Sequence, residues 1–305
     1  MKKIFLLLLI CLCFTSAIAQ KITVKYGLLE LYENFASKNV QPRNVGVWLP
    51  QNYSLKKKYA VLYMHDGQML FDAGITFNQT EWGVDECLTK LFREGKIRNT
   101  IVVGIWNTKE NRHQEYFPQK PYENLSTEDK EKVGISLEKI GLSREFKPTS
   151  DNYLKFIVEE LKPFIDNSYS TFKHKEATFI AGSSMGGLIS LYAICEYPQI
   201  FQGAACISTH WPGTFESENN PIPESFYSYL KEKLPEPKNN KIYFDYGTVD
   251  LDAMYPPLQA KVDEIMQSKG FTKENWTTQK FEGENHSENA WKKRLHIPME
   301  FLLKK

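Results

Sequence analysis

With 305 residues, 42% hydrophobic and 25% charged, the chain has the make-up of an ordinary soluble globular protein of one large or two small domains. Its 38 basic and 37 acidic side chains leave a formal net charge of +1, a balance that offers no field for nucleic acid or anionic lipid.

The chain opens with Met1-Lys2-Lys3, an apolar run from Ile4 to Phe14 and then Ala17-Ile18-Ala19. A basic start, an apolar core and an A-x-A cleavage site predict a signal peptide over residues 1–19, a mature start at Gln20 and a periplasmic or secreted location. The apolar run falls short of the ~20 residues that span a bilayer, so no stable membrane insertion is expected after cleavage. Neither Cys11 nor Cys13 follows the small residue that a lipoprotein site requires. Cys87, Cys195 and Cys206 then remain, an odd set without a C-x-x-C pair, and Cys195 and Cys206 fall in apolar stretches where they are expected to pack as small hydrophobes.

Alternating positions over Lys21 to Pro50 predict an antiparallel strand pair, and the continuous apolar run Tyr59 to Met64 a strand covered on both faces. That strand ends in His65-Asp66-Gly67-Gln68, and a loop at the carboxyl end of a central strand is where such sheets place function. Val84, Leu88, Leu91 and Phe92 mark an amphipathic helix, and Ile97 to Trp106 a further buried strand. Thr108 to Thr149 is long, polar and rich in Lys and Glu; it is expected to be a lid, a substrate-binding insertion or a solvated decoration. Ser150-Asp151 can cap a helix running to Ile165, interrupted near Pro163.

Strands are expected at Ala177 to Ala181, Ala204 to Ser208, Lys241 to Gly247 and Trp276 to Phe281. Helices are expected over Leu188 to Glu196, around Tyr227 to Lys233, over Pro257 to Lys269 and over Ala290 to Leu303. Repeats and low-complexity linkers are absent from the sequence, so residues 20–305 read as a single α/β domain: a mostly parallel central sheet with helices on both faces and an antiparallel N-terminal strand pair.

Gly182-Ser183-Ser184-Met185-Gly186-Gly187 sits between one of these strands and its helix. A G-x-S-x-G pentapeptide in a strand-turn-helix context is the nucleophile elbow of an α/β-hydrolase fold, tight enough that only glycine-sized neighbours let the backbone close. Ser184 is then lifted above the sheet, with the NH of Met185 aimed where an oxyanion would form. A serine hydroxyl is a weak nucleophile at neutral pH and requires a base and a group that orients the base.

In this fold the chain order is serine, acid, histidine. Asp250 and Asp252 follow the strand that ends at Gly247, and His286 lies in Gly283-Glu284-Asn285-His286-Ser287 after the last strand. The two aspartates share parity, so alternation does not separate them. His113, His174 and His296 fall in polar stretches and read as surface residues. His65 and His210, at strand ends on the Ser184 rim, are candidate substrate contacts together with Asp66 and Trp211. Asp66 also reads as the turn-former of a loop whose Gln68 NH is the second oxyanion donor. His65, Asp66 and Asp72 could suggest a metal, but no spaced His/Glu set accompanies them, and neither metal nor cofactor is expected.

The stretches Leu62 to Gln68, Gly182 to Gly187 and Gly283 to His286, with Trp291 beyond, resemble the esterase family of α/β hydrolases that holds esterase D-like enzymes, enterobactin-type siderophore esterases, feruloyl and acetylxylan esterases and mycolyltransferases. The likeness covers nearly all of the mature chain and leaves the substrate open. It implies Ser184 as nucleophile, His286 as base, the NH groups of Gln68 and Met185 as oxyanion donors, and favours Asp252 over Asp250 as the acid. The activity it implies is ester hydrolysis on a small-molecule or glycan-linked substrate. The rival from a different class is a catalytically silent binding protein on the same scaffold.

Overall fold

A computed structural model describes residues 22–216 and 218–305; the expected leader over 1–19 lies outside the described residues. The strands are β1 (Leu28–Phe35), β2 (Arg43–Leu49), β3 (Ala60–His65), β4 (Thr100–Ile105), β5 (Thr178–Ser183), β6 (Gly203–Ile207), β7 (Lys241–Gly247) and β8 (Trp276–Phe281). They form one eight-stranded sheet in the order β1-β2-β4-β3-β5-β6-β7-β8. The β1/β2 and β2/β4 pairs are antiparallel and the other five are parallel, as expected for an α/β hydrolase with an N-terminal antiparallel pair.

Successive side chains of a strand point to opposite faces, so the central strands feed two cores. Val61, Tyr63, Ile101, Val103 and Ile180 enter one, while Ala60, Leu62, Met64, Val102 and Phe179 enter the other. Helices cover both: α1 (Val84–Arg93), α2 (Arg112–Tyr116), α3 (Gln119–Glu123), α4 (Thr127–Glu138), α5 (Ser150–Lys155), α6 (Lys162–Ser168), α7 (Met185–Glu196), α8 (Ile222–Lys233), α9 (Tyr255–Ser268), α10 (Glu288–Arg294) and α11 (His296–Leu303). Helix α7 is buried at every position from Met185 to Cys195, the signature of a helix with no solvent face. Among the described residues no helix is long and apolar enough to cross a membrane.

Three expectations are corrected. The 108–149 segment is neither a plain loop nor a solvated decoration: α2, α3 and α4 run through it, and Tyr116, Phe117, Tyr122, Val133, Leu137 and Phe146 join the core. A buried ion pair fixes it to the sheet, Arg43 on β2 donating from Nη2 to Glu115 Oε1 at 2.6 Å and from Nη1 to Oε2 at 2.8 Å. Ser150 does not cap α5; it is the helix's first residue, and its Oγ accepts from Gln119 N at 2.9 Å. The strain ahead of Pro163 is absorbed by a π-helical turn over Phe156–Leu161 that joins α5 to α6. The terminal helix divides at Leu295 because Pro298 has no N–H to offer the carbonyl of Arg294.

Candidate active site

Strand β5 delivers Ser184 into a sharp turn with φ 58° and ψ −122°, a conformation that costs a non-glycine residue ~1–3 kcal/mol. A side chain at Gly182 would put its Cβ 2.7 Å from the Gly186 carbonyl oxygen, which is why the turn closes only over glycine. The backbone holds the strain from both sides: Ser184 N donates to Ile207 O at 2.9 Å, and Ser184 O accepts from His210 N at 3.2 Å and Gly187 N at 3.0 Å. The Ser184 side chain is half-buried, and among the described residues its Oγ has no hydrogen-bond partner.

His286, on the loop between β8 and α10, places Nδ1 2.5 Å from Asp252 Oδ1. Its ring stands edge-on to Trp291 at 5.0 Å and to Tyr255 at 5.9 Å between centroids, which fixes the imidazole plane. Asp252 is fully buried and lies on a 3₁₀ turn over Asp250–Met254 directly after β7. Burial opposes its charge, but the bonds from His286, from Ser208 Oγ at 2.6 Å and from Gly247 N at 2.6 Å outweigh that, and the carboxyl is held below the usual carboxylate range. Asp250, two residues earlier, has φ 53° and turns outward; it is exposed and makes no bond to His286.

Facing the elbow, the loop after β3 turns through Asp66, whose φ of 56° and ψ of 45° are left-handed. Met69 N closes the turn on Asp66 O at 2.8 Å, so the NH groups of Gly67 and Gln68 precede its first bond, as that of Met185 does in α7. The two loops pack closely: a Cβ on Gly186 would lie 3.4 Å from His65 Cβ and 3.6 Å from Asp66 Oδ2. Arg112 clamps Asp66 with two bonds, Nε to Oδ1 at 2.8 Å and Nη2 to Oδ2 at 2.7 Å, and Asn107 Nδ2 adds a third at 2.7 Å. Burial opposes the Asp66 charge too, but this clamp keeps its carboxyl below the ordinary range.

The other residues expected at the substrate rim sit beneath it. His65 is 1% exposed with Nδ1 2.8 Å from Tyr153 Oη, and burial pushes its pKa down to about 3. His210 is 2% exposed with Nδ1 2.8 Å from Tyr255 Oη; burial, then the charges of His286, His113 and Arg112, lowers it to about 3 as well. Trp211 is a core residue, 1% exposed, donating from Nε1 to Gln259 Oε1 at 2.9 Å. His174 and His296 are exposed as expected, but His113 is half-buried between the rings of Phe117 and Phe146 and is lowered to about 4, chiefly by burial. Asp72 caps a short turn at Gly74 N and accepts from Thr23, apart from any ligand-like grouping.

Sequence reasoning missed Ser208, Asp245 and Arg294, which lie directly behind Asp252. The available signal was a charge inside an apolar strand, Asp245 in Ile242 to Tyr246.

The family described as "Putative esterase" matches residues 37–297. The uncharacterized protein YbbA of Bacillus subtilis (strain 168) is 25% identical over 268 residues, 85% of this chain and 92% of YbbA. A ferulic acid esterase from Anaeromyces mucronatus, solved with ferulic acid, has a TM-score of 0.62 at 18% identity and covers 92% of each chain. The enterobactin esterase of Shigella flexneri has a TM-score of 0.62 at 15% identity, over 92% of this chain and 60% of that one. At such identities the solved structures speak for the fold, and the family match speaks for the chemistry. An α/β-hydrolase sheet, a strained serine elbow and a match over most of its length place the chain in the esterase family, hydrolases of carboxylic ester bonds.

Proposed function

We propose that the chain is an exported serine carboxylesterase that works through an acyl-enzyme on Ser184. The observation that carries this reading is the 2.5 Å contact between His286 Nδ1 and the buried, ionised Asp252, which is bonded to Ser208, whose chain neighbour Ile207 accepts from Ser184 N. A carboxylate on Nδ1 fixes the tautomer in which Nε2 is the free base.

In this mechanism Nε2 takes the proton of Ser184 Oγ as the oxygen attacks the ester carbonyl. The NH groups of Met185 and Gln68 receive the oxyanion of the tetrahedral intermediate. The imidazolium then gives its proton to the departing alcohol, and water, activated by the same histidine, releases the acid. Asp252 stays ionised throughout and stabilises the imidazolium.

For substrate, we propose a bulky extracellular ester: a feruloyl or acetyl group on plant polysaccharide, or a siderophore lactone. The basic, apolar and A-x-A order of residues 1–19 supports export. The solved relatives named for ferulic acid and enterobactin support the substrate class. So does Phe215, 56% exposed and 5.4 Å from His210, which offers an open aromatic surface near the site.

The test is p-nitrophenyl acetate turnover by the mature protein beside Ser184→Ala. The variant should lose several orders of magnitude, leaving what the oxyanion donors supply. Equal rates would refute the serine mechanism. A panel of methyl ferulate, acetylated xylan and ferric enterobactin then separates the substrates, and indifference to all three discards this class.

A further inference from the structure

Behind Asp252 lies a fully buried polar chain that the reaction scheme above does not use. Ser208, at the end of β6 with φ 40°, donates from Oγ to Asp252 Oδ2 at 2.6 Å. The same oxygen accepts from Trp291 Nε1 at 3.0 Å and from Arg294 Nη2 at 2.8 Å. Arg294 also pairs with Asp245 on β7, Nη2 to Oδ1 at 3.0 Å and Nε to Oδ2 at 3.3 Å, and Asp245 Oδ1 accepts from Ser208 N at 3.1 Å. Ser208 and Asp252 are 0% exposed, Asp245 1% and Arg294 3%.

A hydroxyl has one hydrogen and two acceptor lone pairs. In Ser208 both lone pairs are occupied by N–H donors, from the indole and the guanidinium, so the single hydrogen has one place to go, Asp252 Oδ2. We infer that Ser208, locked as a donor by Trp291 and by the Arg294–Asp245 pair, is a positioning residue that sets the orientation and basicity of the Asp252 carboxylate toward His286. Arg294 is itself balanced by Asp245, so the chain delivers a hydrogen bond to Asp252 without a net charge behind it. This inference rests on the reading of Asp252 and His286 as a catalytic pair.

The consequence is measurable in pH. Without the Ser208 donor, Asp252 carries more negative charge on the Oδ1 that faces His286, and the acidic limb of the activity profile is expected to move. The charged and titratable groups around the pair are otherwise few. Tyr255 lies against the ring, neutral His210 is bonded to Tyr255 Oη, Glu284 shares the His286 loop and pairs with Lys293, and Glu288 opens α10 and accepts from Asn78.

The experiment is the pH profile of kcat and kcat/KM for p-nitrophenyl acetate with Ser208→Ala, Trp291→Phe and Asp252→Asn in the full mature chain, corrected for folded protein by thermal melts. Ser208→Ala should lower kcat about ten- to hundred-fold, the worth of one hydrogen bond to a charge, with KM little changed and the acidic limb moved. Trp291→Phe keeps a ring against His286 but frees one lone pair of Ser208, and should shift the limb in the same direction with a loss of a few-fold. It also serves if Ser208→Ala does not fold. Wild-type kcat and an unmoved limb in either folded variant, beside an inactive Asp252→Asn, overturn the inference alone. An active Asp252→Asn overturns the catalytic pair on which it rests.

Discussion

Two strand ends in this fold carry histidine, aspartate and arginine and join them differently. At the end of β3, Asp66 turns to Arg112 and His65 is left to the Tyr153 hydroxyl. Beyond β7 and β8, Asp252 turns to His286, while Arg294 is given to a second aspartate, Asp245. Both central carboxylates are buried and both are held ionised, one by a guanidinium and one by bonds led by the imidazole.

Proximity of these residue types does not by itself make a base. His65 faces a neutral hydroxyl in a buried site, has no partner for its buried Nε2 among the described residues, and is pushed down to about 3 by burial. It stays neutral and structural. His286 keeps 14% of its side chain exposed and has a carboxylate on Nδ1, so a proton can reach Nε2 and its charge is balanced when it arrives.

Swapping the amide for the acid at each strand end is the strongest way to break this comparison. Asp252→Asn should lower kcat by ~10⁴ with the fold intact, because the amide permits the wrong tautomer. Asp250→Asn, at an exposed position, should leave turnover near wild type. Asp66→Asn should cost about 1–3 kcal/mol of stability and roughly tenfold in kcat, since it loosens the loop that carries the Gln68 NH. Equal losses in Asp66→Asn and Asp252→Asn, measured as kcat on folded protein, would erase the distinction.

A finer test exchanges the histidines. His286→Ala should abolish turnover to a similar degree as Asp252→Asn, whereas His65→Phe should lower stability by about 1–3 kcal/mol through the orphaned Tyr153 hydroxyl while the folded fraction keeps most of its activity.

A last effect, which leaves turnover aside, is in the pH dependence of stability. His65 and His210 remain neutral in the folded protein down to about 3 but take up protons from about 6.5 once unfolded. The unfolded state binds more protons in that window, so their contribution is complete above pH 6.5 and is lost as pH falls toward 3. Urea unfolding at pH 7, 6 and 5 should show stability dropping by up to ~1.4 kcal/mol per pH unit for each histidine. A flat curve would mean that these two sites are not sealed from protons.

The parallel core was legible in the sequence because continuous apolar runs such as Tyr59 to Met64 and the tight glycines around Ser184 have few other structural uses. Alternation did not separate Asp250 from Asp252: the family resemblance leaned to Asp252, and what sets the two apart physically is a local 3₁₀ turn and a left-handed φ at Asp250, which alternation does not encode. The 108–149 segment hid its helices because part of what fixes it is polar: Glu115 on Arg43 and Arg112 on Asp66 are ion pairs across 72 and 46 residues. Of the Ser208, Asp245 and Arg294 chain only Asp245 left a signal, a charge inside an apolar strand; its partners did not, since periodicity marks apolar faces and not the partner of a buried charge.

The most direct measurement of the central claim is covalent labelling with a fluorophosphonate followed by peptide mass mapping. One adduct per chain is expected, on the peptide that holds Ser184, absent in Ser184→Ala and formed far more slowly in His286→Ala and Asp252→Asn. An adduct elsewhere in the chain, or labelling that persists in Ser184→Ala, would contradict the account.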